Sequence, residues 1–242
     1  MYIIMDTRCW GPSAWIFLHS IAENVGKNNS LSRQMKDCSF FVNLEHILPC
    51  IHCRISYTQF LQILPFNKDT DIGRNLYLIH NKVNRKLALQ GYKVTKSSNY
   101  RNVRKQIITR TSCFDSENNQ STGYTFIGSV VYNFPAKEPS KILQTAYCKF
   151  FKALPIMYPT SMGRKKWKLF LRDYPINDYV KNRKLLINWF SRSPMMKYTL
   201  DYPQGKVQIP ITKLNKHFET FRAGCKTQSC RNRGTVRKLI YH

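Results

Sequence analysis

The residues best suited to chemistry are the two cysteines of the segment Pro49-Cys50-Ile51-His52-Cys53-Arg54. A C-x-x-C spacing at the start of a helix brings two sulfurs within disulfide reach. The helix dipole and the unpaired backbone N–H groups there favour the thiolate of the first cysteine. Arg54 adds a positive charge nearby. Because the thiolate is the form that exchanges disulfides, Cys50 and Cys53 are the candidate catalytic pair.

Two other interpretations fit the same spacing. The pair could supply half of a zinc site, with His46 or His52 as an additional ligand, or it could be two reduced thiols in a core. The sequence has no second C-x-x-C knuckle, so we assign no metal ligands. A thioredoxin fold is disfavoured because its C-x-x-C follows a β-strand, whereas this one follows a helical pattern.

The neighbours of the C-x-x-C form two further motifs in a fixed order. Before it stand Trp10-Gly11-Pro12, Trp15, Leu18-His19 and Ala22. After it stand Tyr57 and, with 26 residues between Cys53 and His80, the segment His80-Asn81-Lys82-Val83-Asn84-Arg85-Lys86-Leu87. This arrangement resembles the Erv/ALR family of FAD-linked sulfhydryl oxidases, whose pattern is W-G-x-x-x-W-x-x-L-H-x-x-A, P-C-x-x-C-R-x-x-Y and H-N-x-V-N-x-x-L. The resemblance covers residues 9 to about 90, and Tyr77 stands where many members have tryptophan.

The resemblance implies a role for each motif. Cys53 would be the thiol next to the flavin, and Cys50 the interchange thiol that meets a protein dithiol. Electrons would pass from the dithiol through FAD to dioxygen, with release of hydrogen peroxide. The residues expected to bind FAD are Gly11, Trp15, His19, Tyr57, His80, Asn81, Val83, Asn84, Lys86 and Leu87. Taken singly, His19 and His80 could instead be core histidines on apolar helix faces.

Family members often carry a second, shuttle cysteine pair, for which Cys225 and Cys230 are the candidates here. A structural disulfide or two free thiols would also explain that pair. The resemblance further implies protein dithiol substrates, which are thioredoxin-like or viral proteins, and a homodimer. Phe17 and Ile21 are apolar residues that could supply its dimer face.

Helical periodicity predicts the elements that position these residues. Apolar residues recur at helical spacing in four segments: 15–22 after a start at Gly11-Pro12, 40–48, 53–64, and 76–87. Asp71 is a suitable N-cap for the last of them. The fold class is therefore mostly α, with a four- to five-helix Erv/ALR-like bundle over residues 1–105.

Residues 106–242 form a predicted basic accessory domain, separated from the bundle by a linker between Ser112 and Gly123. Segments 142–154, 167–171 and 179–190 have helical patterns, whereas 124–132 and 206–211 alternate like strands. This second domain is predicted to be mainly helical or α+β.

The chain is strongly basic, with 39 Lys+Arg against 13 Asp+Glu and a net charge of +26. Most of the excess falls in residues 106–242, where Arg164-Lys165-Lys166-Trp167-Lys168 and Lys181-Asn182-Arg183-Lys184 are the main clusters. Nucleic acid, an acidic protein, or an interdomain or dimer surface would each explain such charge. The alternative function is therefore a basic nucleic-acid- or virion-associated structural protein whose C-x-x-C is structural or binds metal.

Eight cysteines without a recognisable secretory signal suggest metal or redox chemistry in a reducing compartment. No apolar run approaches the roughly 20 residues of a membrane span. Some large DNA viruses encode sulfhydryl oxidases with an extra C-terminal domain, and this composition is similar to theirs. We therefore expect the protein in the host cytoplasm or the virion.

Overall fold

The computed structural model describes residues 5–24, 31–94, 99–112, 121–198 and 210–223. Within these ranges the chain is almost entirely helical, and its β-type pairing is one isolated antiparallel bridge between Met5 and Arg222. The prediction of a mostly α fold is confirmed.

The N-terminal part, over its described ranges, contains six helices. They are α1 (Thr7–Asn24), α2 (Leu31–Val42), α3 (Leu44–Ile47), α4 (Ile51–Ile63), α5 (Ile72–Leu89) and α6 (Tyr100–Ser112). The Asp71 side chain accepts a hydrogen bond of 3.0 Å from the backbone N–H of Arg74, so the predicted cap of α5 is confirmed. Helix α1 begins at Thr7 and continues through Pro12, so the predicted start at Gly11-Pro12 was wrong.

In the described residues of the C-terminal part there are five α-helices and two 3₁₀ helices. They are α7 (Ser121–Asn133), α8 (Lys141–Met157), α9 (Ser161–Asp173), a 3₁₀ helix (Ile176–Asp178), α10 (Arg183–Phe190), a 3₁₀ helix (Pro194–Tyr198) and α11 (Ile211–Glu219). Residues 206–209 of the second predicted strand lie outside the described residues, and Ile211 begins α11.

The strand predicted at 124–132 was wrong, since this segment lies inside α7. Nearly every residue of α7 from Gly123 onward is buried, because the helix is covered by α1, α10 and α11. A helix that is buried on all sides shows no amphipathic period, and its many aromatic and β-branched residues then imitate a strand. Phe218 of α11 lies so close to Gly128 that a Cβ there would come within 2.0 Å of the ring.

Helices from the two predicted domains share one hydrophobic core. Phe17 on α1 lies 5.9 Å from Phe126 on α7 between ring centroids, and the Asn43 amide donates to the Ala146 carbonyl of α8 at 2.8 Å. Phe17 and Ile21 are fully buried in this core, so they cannot form the dimer face that we predicted for them. The division at residues 105 and 106 falls inside α6 and stays a prediction.

Candidate active site

The cysteine pair lies at the N-terminus of α4. Cys50 is the N-cap residue, and its sulfur accepts a hydrogen bond of 3.4 Å from the backbone N–H of Cys53. This N–H and the positive end of α4 both favour a negative charge on the Cys50 sulfur. The C-x-x-C therefore has the local geometry of a redox pair at a helix N-terminus.

The two cysteines differ in exposure. Cys50 is only 1% exposed, whereas Cys53 is half-buried and packs against the edge of the core. Pro49, which precedes Cys50, accepts a hydrogen bond of 3.0 Å from the backbone N–H of Met5. An external thiol can reach Cys50 only if the segments around it move, a requirement that the sequence did not reveal.

A cluster of one indole and two imidazoles joins α1 to α5. The rings of Trp15 and His80 are stacked, with centroids 3.8 Å apart and planes inclined by 7°. His19 Nε2 lies 3.2 Å from His80 Nδ1, so one of these nitrogens donates and the other accepts. The first and third sequence motifs, 61 residues apart at these histidines, thus form one site.

Burial keeps both imidazoles neutral. It lowers the pKa of His19 to about 4, and burial together with the neighbouring His19 lowers the pKa of His80 to about 3. Each ring therefore offers one N–H donor and one acceptor nitrogen at neutral pH.

The remaining predicted residues of α5 lie along the same helix as His80. Asn81, Val83, Asn84 and Leu87 are half-buried, so parts of their side chains are open to a ligand. Lys86 Nζ donates to Ser56 Oγ on α4, and Ser56 Oγ donates in turn to the His52 carbonyl at 2.9 Å.

Ser56 was not singled out from the sequence. Its place three residues after Cys53, on the same helix, was the signal that could have identified it. Through Lys86 it ties the third motif to the helix of the cysteine pair.

Tyr57 and Gly11 occupy different surroundings from the α5 residues. The Tyr57 hydroxyl is buried and donates to the Phe41 carbonyl at 2.9 Å. Burial, and secondarily the charge of Glu45, raises the pKa of Tyr57 well above its usual range. A Cβ at Gly11 would meet no atom within 4 Å, so open space adjoins this part of α1.

A separate cavity of about 420 Å³ lies where α1, α2, α5 and α6 meet. Glu23, Asp37 and Asp71 are among its lining residues, and none of the predicted FAD-binding residues is. At its edge, Glu23 binds Arg104 at 2.7 Å and accepts from the Tyr100 hydroxyl at 3.3 Å, which fastens α6 to α1.

Several predictions concern residues that the structure does not describe. The candidate shuttle cysteines Cys225 and Cys230 and residues 113–120 of the predicted linker lie outside the described ranges. In those ranges, no group of three or more His, Cys, Asp or Glu side chains is placed to hold a metal ion. None of the described helices combines the length and the apolar character that crossing a membrane requires.

The fold and the site define a class of protein: a helical domain that carries a C-x-x-C at the N-terminus of one helix and an indole–imidazole cluster between two others. Residues 12–106 match the sequence model of the Erv1 / Alr family.

A protein of Acanthamoeba polyphaga mimivirus, named as a probable FAD-linked sulfhydryl oxidase, is 29% identical over 85 residues. The alignment covers 33% of this chain and 59% of that protein. No solved structure gives a significant match.

Proposed function

We propose that the protein is an FAD-dependent thiol oxidase that forms disulfide bonds in protein substrates. The observation that carries this proposal is the N-cap position of Cys50, with Cys53 one turn later, inside the part of the chain that matches the Erv1 / Alr family. The printed name of the mimivirus relative supports the same activity.

The residues of the cluster suit FAD. The neutral imidazoles of His19 and His80 offer donors and acceptors for the polar edges of a flavin or adenine ring, and Trp15 offers an aromatic face. The half-buried amides of Asn81 and Asn84 add further donors and acceptors. These side chains, with Gly11, Val83, Lys86 and Leu87, would hold the cofactor.

The Tyr57 hydroxyl is already used by a backbone carbonyl. We therefore assign Tyr57 a positioning role, in which it fixes α4 against α2.

In the proposed reaction, a substrate thiolate attacks the Cys50–Cys53 disulfide at the Cys50 sulfur, and a mixed disulfide forms as Cys53 leaves as a thiolate. The second substrate thiol then displaces Cys50, which leaves a substrate disulfide and the reduced C-x-x-C pair. FAD, when bound, would supply the two-electron acceptor for the reduced cysteine pair, with dioxygen as the final oxidant and hydrogen peroxide as the product. The Cys53 N–H and the α4 dipole stabilise negative charge on Cys50 during the exchange.

The cysteines Cys225 and Cys230 are proposed as a shuttle pair between substrates and Cys50. The position of the last described residues supports this assignment. Arg222 pairs with Met5, whose N–H binds the Pro49 carbonyl next to Cys50. Cys225 follows Arg222 by three residues in the sequence.

The biological setting belongs to the same proposal. Substrates would be thioredoxin-like or viral proteins, the active form would be a homodimer, and the site of action would be the host cytoplasm or the virion. The viral source of the named relative supports the setting.

An absorbance spectrum of the natively purified protein tests the cofactor, and oxygen consumption with dithiothreitol tests the reaction. We expect a flavin spectrum, peroxide release, and loss of oxidation in Cys50→Ser and Cys53→Ser variants that still bind flavin. Cys148→Ser is the matched control, because Cys148 is half-buried on α8 and outside the cluster. Colourless protein with bound zinc and inert thiols would contradict the proposal and favour the structural alternative.

A further inference from the structure

The hairpin of α8 and α9 is strongly basic. Residues 141–173 contain eight Lys or Arg residues and a single acid, Asp173. The two helices pack against each other and are joined by only three residues, 158–160, so they form an antiparallel pair. Their charges therefore lie on one compact unit of the surface.

Helix α8 exposes lysines along the side that faces away from the core. Its buried side is formed by Phe150, Phe151 and Leu154, whereas Lys141, Lys149 and Lys152 are exposed. At 1.5 Å per residue, the two outer lysines are about 16 Å apart along the helix.

Helix α9 repeats this arrangement. Trp167 and Phe170 are buried, while Lys165, Lys168 and Arg172 are exposed. Arg172 is bound by Asp173 at 2.8 Å, which leaves Lys165 and Lys168 as the main charges of this helix. The basic face is defined here as Lys141, Lys149, Lys152, Lys165 and Lys168.

Arg164 belongs to the structure of the hairpin rather than to the basic face. Its guanidinium donates to the Tyr158 carbonyl at 2.8 Å and to the Pro159 carbonyl at 3.3 Å, so it braces the turn between the helices.

The position of the aromatic residue in this cluster decides the kind of ligand. Trp167 is 1% exposed and packs against other rings of the core, so it cannot stack on a base. Binding of single strands uses exposed aromatic rings, whereas binding of a duplex backbone depends mainly on Lys and Arg and needs no aromatic ring. The basic face has the second composition.

A membrane surface fits the basic face less well. Interfacial helices bury a continuous apolar stripe that includes Trp or Phe. On the outer side of α9, the apolar Met162 and Leu169 alternate with Lys165 and Arg172, and the aromatic residues point into the core.

We propose that the basic face of the α8–α9 hairpin binds the sugar–phosphate backbone of double-stranded nucleic acid, without base specificity. A 16 Å length of duplex presents about nine phosphates, since one charge occurs every 1.7 Å of helix axis. This length of duplex therefore offers more phosphates than the basic face has lysines. This binding is independent of the proposed thiol oxidation, because the basic face contains none of the residues assigned to that reaction.

The test measures binding of the full chain to fluorescent 20-base-pair DNA duplexes of two unrelated sequences, by anisotropy at 50 to 200 mM salt. Five phosphate contacts predict a slope of log K against log salt of about −4.5, which is a loss of affinity of about 500-fold over this range. The two sequences should bind equally.

The variant Lys149→Gln/Lys152→Gln/Lys168→Gln should reduce the steepness of this slope by about 2.7 and weaken binding at least about tenfold at 50 mM salt. The matched control is Lys36→Gln/Lys93→Gln/Lys105→Gln, which removes the same charge from exposed sites in the N-terminal part. The control should bind nearly as the unchanged chain does, and both variants should retain the helical circular dichroism of that chain.

Three outcomes would overturn the proposal. One is an equal loss of affinity in the two triple variants, which would show that only the net charge matters. Another is tighter binding to polyglutamate than to DNA, which would indicate an acidic protein partner. The third is tighter binding to phosphatidylserine vesicles than to DNA, which would indicate a membrane surface.

Discussion

Replacing Phe126 by alanine tests whether the two halves of the chain are one cooperative unit. Phe126 is fully buried on α7, with its ring centroid 6.1 Å from Trp10 and 5.9 Å from Phe17, both on α1. It also lies 6.2 Å from Phe150 on α8. Its side chain therefore packs between the helix that carries Trp15 and His19 and the helices of the basic half.

The expected loss is large because the site is enclosed. A buried Phe→Ala substitution lowers the free energy of unfolding by about 3–5 kcal/mol, through lost burial and the cavity that remains. With a urea dependence of about 2–3 kcal/mol per molar for a chain of this size, the unfolding midpoint should fall by at least about 1 M. Phe126→Leu retains most of the volume and should lose roughly half as much or less.

Urea unfolding should be followed by two signals on the same samples. Far-ultraviolet circular dichroism reports all helices, and flavin fluorescence reports release of the cofactor from the N-terminal site. If α1 and α7 unfold together, Phe126→Ala shifts both midpoints by the same amount. A shift in circular dichroism with an unchanged flavin midpoint would refute the reasoning and show that residues 1–105 unfold independently.

Three further substitutions have definite expected results. Tyr57→Phe should lower the free energy of unfolding by about 1 kcal/mol in urea, because it removes a buried hydrogen bond to a backbone carbonyl. The flavin content should stay unchanged, and a loss of flavin would show that the hydroxyl contacts the cofactor. Gly73→Ala should destabilise the chain, since a Cβ there would lie 2.5 Å from the Tyr100 hydroxyl oxygen, and adding Tyr100→Phe should recover part of the melting temperature. The pKa of His19 is about 4 in the folded chain and 6.5 in the unfolded chain, because burial disfavours the charged imidazole. The free energy of unfolding is therefore unaffected by His19 above pH 6.5 and falls by about 3 kcal/mol as the pH is lowered toward 4. His19→Asn should flatten this fall in flavin-free protein, and an unchanged pH profile would contradict the assignment.

The local features of the site could be predicted from the sequence because they depend on residues close together in the chain. A proline followed by C-x-x-C placed Cys50 at a helix start, and Asp71 before an apolar periodic segment predicted the cap of α5. The i, i+3, i+4 spacing of Leu76 and Ile79 predicted their burial, and both are fully buried. Such features need only backbone hydrogen bonds and helical periodicity.

Other features could not be predicted because they depend on which helices pack together. The burial of α7 on all sides removed the amphipathic signal and produced the mistaken strand at 124–132. The sequence suggested Phe17 and Ile21 as a dimer face, but both are fully buried, and Phe17 packs against Phe126 of α7. The charge cluster around Trp167 had the composition of a stacking surface, yet its tryptophan belongs to the core.

The sequence by itself determined the residues on which the proposed chemistry depends: the cysteine pair, the helix start that holds it, and the two histidines of the neighbouring motifs. The tertiary structure alone decided the stacking, burial and charge state of those groups. It stacked His80 on Trp15, buried His19 beside it so that both rings stay neutral, and enclosed Cys50 while leaving Cys53 half-exposed. The physical reason is that residue type and spacing fix hydrogen bonds within a helix, whereas burial, and with it charge state and access, depends on contacts between distant helices.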